Sequence, residues 1–305
     1  MAVFKDSRNF ASVSPSISAN EEAQMAMHDR SIGDIIRQTK NLSVEAVEQI
    51  LTHQRQHGLR FGEAAVALGF VTNDDVLFAL AQQFHYPYAS AAKLAELNPE
   101  LVTATKPFVA QSEAFRHIRS QLLARLFQDS QQKFALAVTS PDQGDGKSFF
   151  CANLAIVFSQ LGGRTLLVDA NMRDPRQHLL FGLENTLGLS GILSGRAAKN
   201  VIRPVGYLPS LFVLPVGNVP PNPLELIERP AFGLLMRELI AKFDYVIVDT
   251  PAASHGADAT AIASRCGAAL VLARQGASHL RPLQRLTQTL QESPLTLAGV
   301  IMNEF

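Results

Sequence analysis

Several features are scarce in this chain of 305 residues, and each scarcity excludes a class of protein. No apolar run approaches the ~20 residues of a membrane-spanning helix, and the N-terminus lacks the apolar core of a signal peptide. Only two cysteines occur, Cys151 and Cys266, which excludes a disulfide framework and favours two buried thiols. Lys plus Arg and Asp plus Glu number 27 each, so the formal net charge is zero and gives no indication of binding to nucleic acid. We expect a cytoplasmic protein without a transmembrane segment of its own.

Apolar residues are plentiful, and their distribution predicts the fold class. They make up 47% of the chain, whose length corresponds to about two domains. The strand candidates are 134–139, 165–169, 211–215, 244–249, 268–273 and 297–302. These runs are almost continuously apolar and alternate with helix-like segments, as in parallel strands covered by helices on both faces. The sequence therefore predicts an α/β fold with a doubly wound, mostly parallel sheet and a ligand at the carboxyl ends of its strands.

The segment at residues 140–148, Ser-Pro-Asp-Gln-Gly-Asp-Gly-Lys-Ser, lies between the first strand candidate and an amphipathic helix pattern. That setting is typical of a phosphate-binding loop. Gly144 and Gly146 allow backbone N–H groups to surround a phosphate chain at a helix N-terminus. Lys147 can reach the terminal phosphates, and the Ser148 hydroxyl can bind Mg²⁺. The segment predicts a site for a nucleotide and a divalent cation.

Two further apolar strands each end in a carboxylate, Asp169 and Asp249. Either residue alone could be a helix N-cap. Together with the phosphate loop, they are expected to bring carboxylates to Mg²⁺ and to the attacking group. Lys147 and the cation would neutralise charge on the transferred phosphoryl group, and an aspartate would orient the nucleophile or accept its proton. The pattern predicts phosphoryl transfer with Lys147, Asp169 and Asp249 as the catalytic residues.

Three segments resemble the Walker-type motifs of bacterial tyrosine kinases, enzymes that control the chain length of exopolysaccharides and capsules. They are residues 140–148, residues 168–178 (Val-Asp-Ala-Asn-Met-Arg-Asp-Pro-Arg-Gln-His) and residues 248–251 (Val-Asp-Thr-Pro). Residues 214–226 resemble another hallmark, and the similarity covers about residues 108–303. The resemblance implies a P-loop NTPase fold of the deviant-Walker type. It also implies an ATP- and Mg²⁺-dependent protein-tyrosine kinase (an autokinase) that regulates exopolysaccharide chain length, polymerisation or export.

The same resemblance implies roles for individual residues. The expected ATP contacts are Gly144, Asp145, Gly146, Lys147, Ser148, Phe149 and Asn303, with Asn303 near the adenine. The expected Mg²⁺ ligands are Ser148, Asp169 and Asp249. Asp169 is the favoured base for a tyrosine hydroxyl. Arg173 and Arg274 are candidates for phosphate or subunit contacts.

Residues 113–119 (Glu-Ala-Phe-Arg-His-Ile-Arg) resemble the Glu-x-x-Arg-x-x-Arg helix through which such kinase domains associate into rings. By itself, this helix would be a solvated charged face with i,i+3 pairs. The resemblance implies a homo-oligomer with Glu113, Arg116 and Arg119 at the subunit contact. It further implies a membrane polysaccharide copolymerase as the partner that recruits the protein to the inner face of the cell membrane.

The sequence departs from that family at three places. Asn171 replaces the second acid expected after Asp169, and an amide can orient a metal-bound water but cannot act as a base. Phe149 stands where a threonine is usual, which leaves only a backbone N–H for the α-phosphate. A tyrosine-rich tail is expected after the last strand, whereas the sequence given stops at Phe305 and contains four tyrosines. The acceptor tyrosines then lie elsewhere, or the tail is not part of this sequence, or the protein is not an autokinase.

Two other functions are compatible with the same motifs. One is an ATPase of the partitioning or cell-positioning type, which carries an extra lysine early in the loop that reaches across a dimer. Asp142 occupies that position here, and a carboxylate cannot stabilise the phosphates of a partner subunit. The other is a non-catalytic adaptor in which ATP binding orders a ring. The tyrosine kinase is the favoured interpretation.

An internal repeat with a constant offset of 29 residues lies in the N-terminal part, where residues 32–54 align without gaps on residues 61–83. Each copy has the pattern of a short helix, a turn and a second helix. Ser43 and Thr72 occupy equivalent positions and are candidate N-caps of the second helices. We expect the two copies to bury their apolar faces on each other, as a small domain over residues 29–90.

This repeat resembles the N-terminal domain of secretion and pilus-assembly ATPases, some of which bind cyclic di-GMP through paired motifs that open with Arg-Leu-Gly. Arg60-Phe61-Gly62 fits one motif, and Arg30-Ser31-Ile32-Gly33 displaces the arginine by one residue. Binding of cyclic di-GMP and docking of a protein both stay open, docking is favoured over binding, and a purely structural role is the remaining alternative. The expected divisions are a disordered segment (1–28), the helical repeat domain (29–90), a linker (91–108) and the P-loop domain (109–305).

Overall fold

The computed structural model describes residues 31–84, 96–127, 133–196 and 200–304. The chain divides into two units, residues 1–86 and 87–305. The segment expected to be disordered, residues 1–28, lies outside the described residues, as do Tyr86 and Tyr88. Among the described helices, none combines the length and the apolar character that crossing a bilayer requires.

Four helices form the described part of the N-terminal unit. They are α1 (Ile32–Lys40), α2 (Val44–His57), α3 (Phe61–Ala67) and α4 (Asn73–Gln83). Helix α2 begins at the predicted cap, where the Ser43 hydroxyl accepts a hydrogen bond from the N–H of Ala46 at 3.2 Å. Helix α4 begins in the same way, since the Thr72 hydroxyl accepts a hydrogen bond from the N–H of Asp75 at 3.3 Å. Both hydroxyls satisfy a donor that a helix N-terminus otherwise leaves without a partner.

Equivalent residues of the two copies form the apolar core of this unit. Ile36 and Ala65 occupy the same position in the repeat, as do Ile50 and Ala79, and all four are buried. Helix α1 packs mainly on α4, and α2 packs mainly on α3, so the two copies of the repeat share one apolar core. The expected burial of the two copies on each other is therefore present, and the limits of the domain stay a prediction.

The second unit contains a seven-stranded sheet. Its strands are β1 (Ala135–Thr139), β2 (Thr165–Asp169), β3 (Arg203–Val205), β4 (Leu208–Leu214), β5 (Tyr245–Asp249), β6 (Gly267–Arg274) and β7 (Thr296–Asn303). The order in the sheet is β3-β4-β2-β5-β1-β6-β7, and every neighbouring pair is parallel except β3 with β4. The predicted mostly parallel α/β fold is confirmed.

Helices cover both faces of this sheet. They are α5 (Val102–Thr105), α6 (Ala110–Leu126), α7 (Lys147–Ser159), α8 (Gln177–Phe181), α9 (Leu189–Leu193), α10 (Pro223–Glu228), α11 (Pro230–Lys242), α12 (Asp258–Cys266) and α13 (Leu280–Gln291), with a 3₁₀ turn at Ala253–His255. Helices α6 and α7 contribute to the apolar cluster on one face, and α11, α12 and α13 contribute to the cluster on the other. Helix α7 is buried along almost its whole length, so the loop that precedes it has a rigid support.

The strand that the sequence pattern did not predict is β3. It has three residues, includes Pro204 and pairs only with β4, at the edge of the sheet. A proline cannot donate to a ladder of hydrogen bonds, and so short a run has no apolar periodicity. The sequence therefore carried no signal for this antiparallel edge strand.

Residues 96–108, part of the expected linker, pack against the α/β unit, and the division of the chain stays a prediction. Leu101 and Thr103 are fully buried in the α/β unit. The N–H and the hydroxyl of Thr103 each donate to the side-chain oxygen of Asn153 on α7 at 3.0 Å. The side-chain amide of Asn153 donates in return to the Glu100 carbonyl at 2.8 Å. The segment is held both by these polar pairs and by Leu101 and Ala104, which belong to the apolar core.

Strands β1, β2 and β5 bring the three predicted motifs to one edge of the sheet. Asp169 at the end of β2 is in register with Asp249 at the end of β5, and Val138 of β1 is in register with Asp249 as well. The carboxyl ends of parallel strands in register lie side by side. The loop after β1 and the two aspartates are therefore neighbours.

Candidate active site

The loop after β1 has the backbone conformation that its glycines predict. Gly144 and Gly146 have φ values of 85° and 94°, which residues with a Cβ rarely adopt. A Cβ on Gly146 would also overlap the side-chain amide of Asn303. That amide donates to the Asp145 carbonyl at 3.1 Å, so the end of β7 lies against the loop. The structure thus brings the predicted loop residues and Asn303 together.

The buried carboxylate of Asp145 holds the loop from within. One of its oxygens accepts a hydrogen bond from the N–H of Asp142 at 2.9 Å, and the other accepts one from the Ser278 hydroxyl at 2.8 Å. The guanidinium of Arg274 lies 3.4 Å from the Gly144 carbonyl. The end of β6 and the residues that follow it therefore help to shape the loop. The predicted phosphate contact of Arg274 stays a prediction.

Lys147 is the first residue of α7 and is only 7% exposed. Its ammonium donates to the Ser140 hydroxyl at 2.8 Å and lies 3.4 Å from the Asp142 carbonyl. Burial lowers the pKa of Lys147, and the charges of Asp249 and Asp145 oppose that shift. The lysine is thus held against the loop, where it can reach the terminal phosphates of a nucleotide.

Asp169 is fully buried, and backbone groups engage both of its oxygens. Oδ1 accepts a hydrogen bond from the N–H of Asn171 at 3.2 Å. Oδ2 accepts hydrogen bonds from the N–H groups of Arg176 at 3.1 Å and Gln177 at 3.0 Å. Burial raises the pKa of Asp169 well above its usual value, the charge of Asp249 adds to the rise, and the three amides oppose it. Asp169 therefore fastens the segment after β2 to the end of the strand.

Asp249 is bonded differently from the neighbouring Asp169. Its Oδ2 accepts a hydrogen bond from the side-chain amide of Gln177 at 2.8 Å. Its Oδ1 is buried and has no hydrogen-bond partner among the residues that the structure describes. Burial raises the pKa of Asp249, and the nearby Ser148 hydroxyl and the Gln177 amide oppose that rise. Of the two aspartates, Asp249 offers an oxygen for a further ligand.

Gln177 is absent from the predicted site residues, yet it connects the three motifs. Its backbone N–H binds Asp169, and its side-chain amide donates both to Asp249 and to the Ser148 carbonyl, the latter at 3.1 Å. The residue is fully buried, and its side-chain oxygen has no partner within the described ranges. Gln177 lies within the motif at residues 168–178, but a glutamine in the first turn of a helix is chemically ordinary and did not indicate this role.

The other polar residues after β2 support the backbone of that segment. The side chain of Asn171 accepts a hydrogen bond from the N–H of Asp174 at 3.2 Å and donates to the Asp174 carbonyl at 2.7 Å. Arg173 forms an ion pair of 3.0 Å with Asp258, whose side chain is fully buried at the start of α12. Asn171 thus closes a turn, and Arg173 joins the segment to α12. The expected contacts of Arg173 with a phosphate or a second subunit stay predictions.

The residues expected at a subunit contact lie on α6. Arg116 forms an ion pair with Glu113 and donates to the Pro107 carbonyl at 2.6 Å. Arg119 donates to the Val157 carbonyl, in the last turn of α7, at 2.6 Å. Both arginines are therefore bound within their own subunit. The contact between subunits through these residues stays a prediction.

The groups at this edge of the sheet fit a nucleotide with one divalent cation. Magnesium prefers oxygen ligands and is usually held by one or two carboxylates together with substrate phosphates. The unpaired Oδ1 of Asp249 and the nearby Ser148 hydroxyl are ligands of that kind. In the described part of the chain, no group of three or more His, Cys, Asp or Glu side chains could hold a metal alone. A cation at this site would therefore be shared with the phosphates.

The similarity of this chain to known proteins extends over its α/β part. Tyrosine-protein kinase YwqD of Bacillus subtilis (strain 168) is 32% identical over 207 residues, which are 68% of this chain and 86% of YwqD. The chain belongs to the bacterial tyrosine-kinase family. A family model described as cellulose biosynthesis protein BcsQ also matches it over residues 135–297, and the chain belongs to that family as well.

A second relative of this kinase-family chain is much longer. Tyrosine-protein kinase wzc of Salmonella typhi is 32% identical over 204 residues, which are 67% of this chain and 28% of wzc. The match thus spans less than a third of that relative. Among solved structures, the kinase domain of Escherichia coli tyrosine kinase ETK is similar with a TM-score of 0.63 and 30% identity, over 67% of this chain and 79% of the domain.

Proposed function

We propose that this protein is an ATP- and Mg²⁺-dependent protein-tyrosine kinase that regulates the chain length, polymerisation or export of an exopolysaccharide. The observation that carries the proposal is the buried, unpaired Oδ1 of Asp249 at the site where the Ser148 hydroxyl and the Lys147 ammonium converge. Membership of the bacterial tyrosine-kinase family supports tyrosine as the acceptor. The description of the matching family model supports a role in polysaccharide synthesis.

Each group of the site has a task in this reaction. The N–H groups of the loop and the ammonium of Lys147 would bind the phosphates, and Ser148 and Asp249 would hold the cation. When bound, Mg²⁺ supplies positive charge that stabilises the transferred phosphoryl group. A tyrosine oxygen forms a bond to the γ-phosphorus, the bond from phosphorus to the bridging oxygen breaks, and ADP leaves.

The proton of the tyrosine hydroxyl needs an acceptor, and Asp169 is our proposed base. A carboxylate has about four acceptor positions, of which backbone amides occupy three in Asp169. One position remains for the hydroxyl. The same amides leave Asp169 less suited to the cation than Asp249. This division of labour differs from the expectation that both aspartates bind Mg²⁺ alike.

The two tyrosines in the described part of the chain are unsuited as acceptors. The Tyr207 hydroxyl is buried, and burial raises its pKa to about 12. The Tyr245 ring packs against Phe158 and Phe127, with ring centroids 4.8 Å and 5.4 Å apart. We therefore propose that the acceptor is neither Tyr207 nor Tyr245. Phosphate found on either residue of the native protein would contradict this.

The kinase proposal is tested with the full chain, ATP, Mg²⁺ and a tyrosine-bearing peptide. Phosphotyrosine on the chain or the peptide is expected from the wild type, and none from Lys147→Met, because the phosphates lose their buried cation. Lys242→Met is the matched control, since Lys242 is exposed on α11 and should leave activity unchanged. Release of phosphate without phosphotyrosine would favour an ATPase. Nucleotide binding without either product would favour the adaptor.

We also propose that the protein acts as a homo-oligomer, in a ring, with a membrane polysaccharide copolymerase that recruits it to the membrane. Family membership supports this proposal. Sedimentation velocity of the whole chain, alone and with the cytoplasmic part of such a copolymerase, tests it. A monomer under all conditions, with no complex, would contradict it.

For the N-terminal unit we propose docking of a protein. Binding of cyclic di-GMP stays a prediction without support from the described packing. Gly62 has a structural explanation, because a Cβ there would lie 2.7 Å from a Val76 methyl group at the contact between α3 and α4. Calorimetric titration of the whole chain with cyclic di-GMP tests the ligand. A titration without a heat signal would contradict binding of cyclic di-GMP.

A further inference from the structure

A pocket of ≈ 560 Å³ lies beside the start of the phosphate loop. Its lining comes from three elements: the loop itself, the 3₁₀ turn with the start of α12, and one face of α13. The volume is within the range of about 300–1,000 Å³ that is usual for ligand sites. The tasks assigned above to the nucleotide and the cation do not use this pocket.

The wall of the pocket is continuous with the backbone that holds Lys147. Ala253 and Ser254 line the pocket, and their N–H groups donate to the carbonyls of Ser140 and Pro141, each at 2.9 Å. Asp142 also lines the pocket, and its carbonyl is the one that lies 3.4 Å from the Lys147 ammonium. A molecule in the pocket would therefore lie next to the terminal phosphates.

The pocket is not suited to the base of the nucleotide. Asn303, the residue expected beside the adenine, contacts Asp145 and Gly146 further along the loop and does not line the pocket. The pocket instead adjoins Pro141 and Asp142, which come first in the loop. This places it near the end of the phosphate chain at which an acceptor must approach.

The charges of the pocket come mainly from α13. Arg281 and Arg285 are one helical turn apart and both are exposed, and within the described residues neither guanidinium group has an ion pair or a hydrogen bond. Pro282 and Leu286 supply apolar surface between them, and Asp142 is the one acidic residue of the lining. Guanidinium groups bind carboxylates through two parallel hydrogen bonds. The surface thus suits an aromatic ring with acidic neighbours.

We propose that this pocket binds the acceptor segment, with the tyrosine ring against its apolar wall and flanking acidic residues on Arg281 and Arg285. The inference rests on the proposed kinase function and adds to it a preference for tyrosines in acidic sequence. The occupant is a protein segment rather than a nucleotide, because the pocket lies away from Asn303 and combines apolar surface with two exposed guanidinium groups. The two arginines are specificity residues and bind neither ATP nor the cation.

The test measures binding separately from catalysis. Two fluorescent peptides carry phenylalanine in place of the acceptor tyrosine, flanked by glutamates in one and by glutamines in the other. The whole protein, saturated with Mg²⁺ and a non-hydrolysable ATP analogue, should bind the glutamate peptide about tenfold more tightly in anisotropy titrations, since each exposed ion pair adds modestly. The preference should fall with added salt.

Variants then assign the preference to α13. Arg281→Gln with Arg285→Gln should abolish the difference between the peptides, whereas Arg237→Gln, at an exposed position of α11, should preserve it. Arg285→Glu should shift the preference toward a lysine-flanked peptide, a gain that misfolding cannot mimic. With tyrosine peptides, the double variant should raise KM for the glutamate peptide about tenfold at unchanged KM for ATP.

Several results would overturn the inference. The wild type could bind the two peptides equally, or the double variant could keep the preference. Peptide binding could also be lost as the protein self-associates, and that result would assign the pocket to a second copy of the chain. Normal discrimination without phosphorylation of any tyrosine peptide would refute the kinase function and leave the docking surface in place. The two proposals therefore fail separately.

Discussion

Gln177 provides the sharpest test of the site, because one buried side chain joins its three motifs. In Gln177→Leu, the Asp249 carboxylate loses a hydrogen bond of 2.8 Å and the Ser148 carbonyl loses one of 3.1 Å. A lost bond to a charged acceptor costs about 1.5–3 kcal/mol, and one to a neutral acceptor about 0.5–1.5 kcal/mol. We expect the free energy of unfolding to fall by about 2–4 kcal/mol. Substitution of a residue that orients a metal ligand typically lowers metal affinity or activity by about 10–100-fold. The Mg²⁺ concentration needed for half-maximal activity should therefore rise by a similar factor.

Urea denaturation measures the loss of stability, and phosphotyrosine formation across a Mg²⁺ titration measures the effect on the site. Gln291→Leu, at the exposed end of α13, is the matched control and should change neither quantity. Gln177→Glu keeps the shape of the side chain but replaces the donor with a third carboxylate, so it should be at least as harmful. If Gln177→Leu were as stable as the wild type, with the same Mg²⁺ dependence, the assignment of Gln177 as a positioning residue would be refuted.

Two further predictions concern the loop and its support. Gly146→Ala should lose more stability than Gly162→Ala and should weaken binding of a fluorescent ATP analogue, because both glycines have positive φ but only a Cβ on Gly146 would overlap Asn303. Strain alone costs about 1–2 kcal/mol, so equal losses would show that the overlap is unimportant. Asn153→Ala should lower the free energy of unfolding by about 2–4 kcal/mol, because it removes several buried hydrogen bonds. Thr103→Val should lower the free energy of unfolding by less. Urea denaturation of both variants decides this, and a larger loss for the valine variant would contradict it.

The parallel strands and the phosphate loop were predictable because their signals are local. An apolar run that ends in Asp169 or Asp249 identifies a buried strand and its tip within a few residues of sequence. Gly144 and Gly146 identify the loop for a similar reason, since their positive φ depends on backbone geometry that few other residues allow. The caps at the starts of α2 and α4 are local as well. These features agree with the structure.

The features that the sequence did not predict depend on contacts between distant residues. Gln177 contacts Asp249 across 72 positions of the chain, and Thr103 contacts Asn153 across 50. In neither case does the residue type or its spacing indicate the partner. The same reason explains why Asp169 and Asp249 looked alike in sequence. Their different tasks follow from the backbone amides that reach one carboxylate and not the other.

The three backbone amides bonded to Asp169 limit what substitution of this residue can show about catalysis. Replacing this aspartate with alanine or asparagine would abolish activity if it were the base. It would abolish activity equally if it only anchored the turn that carries Gln177, because that turn would lose its attachment to β2. An inactive Asp169 variant is therefore uninformative about proton transfer until its fold and nucleotide affinity have been shown to be intact.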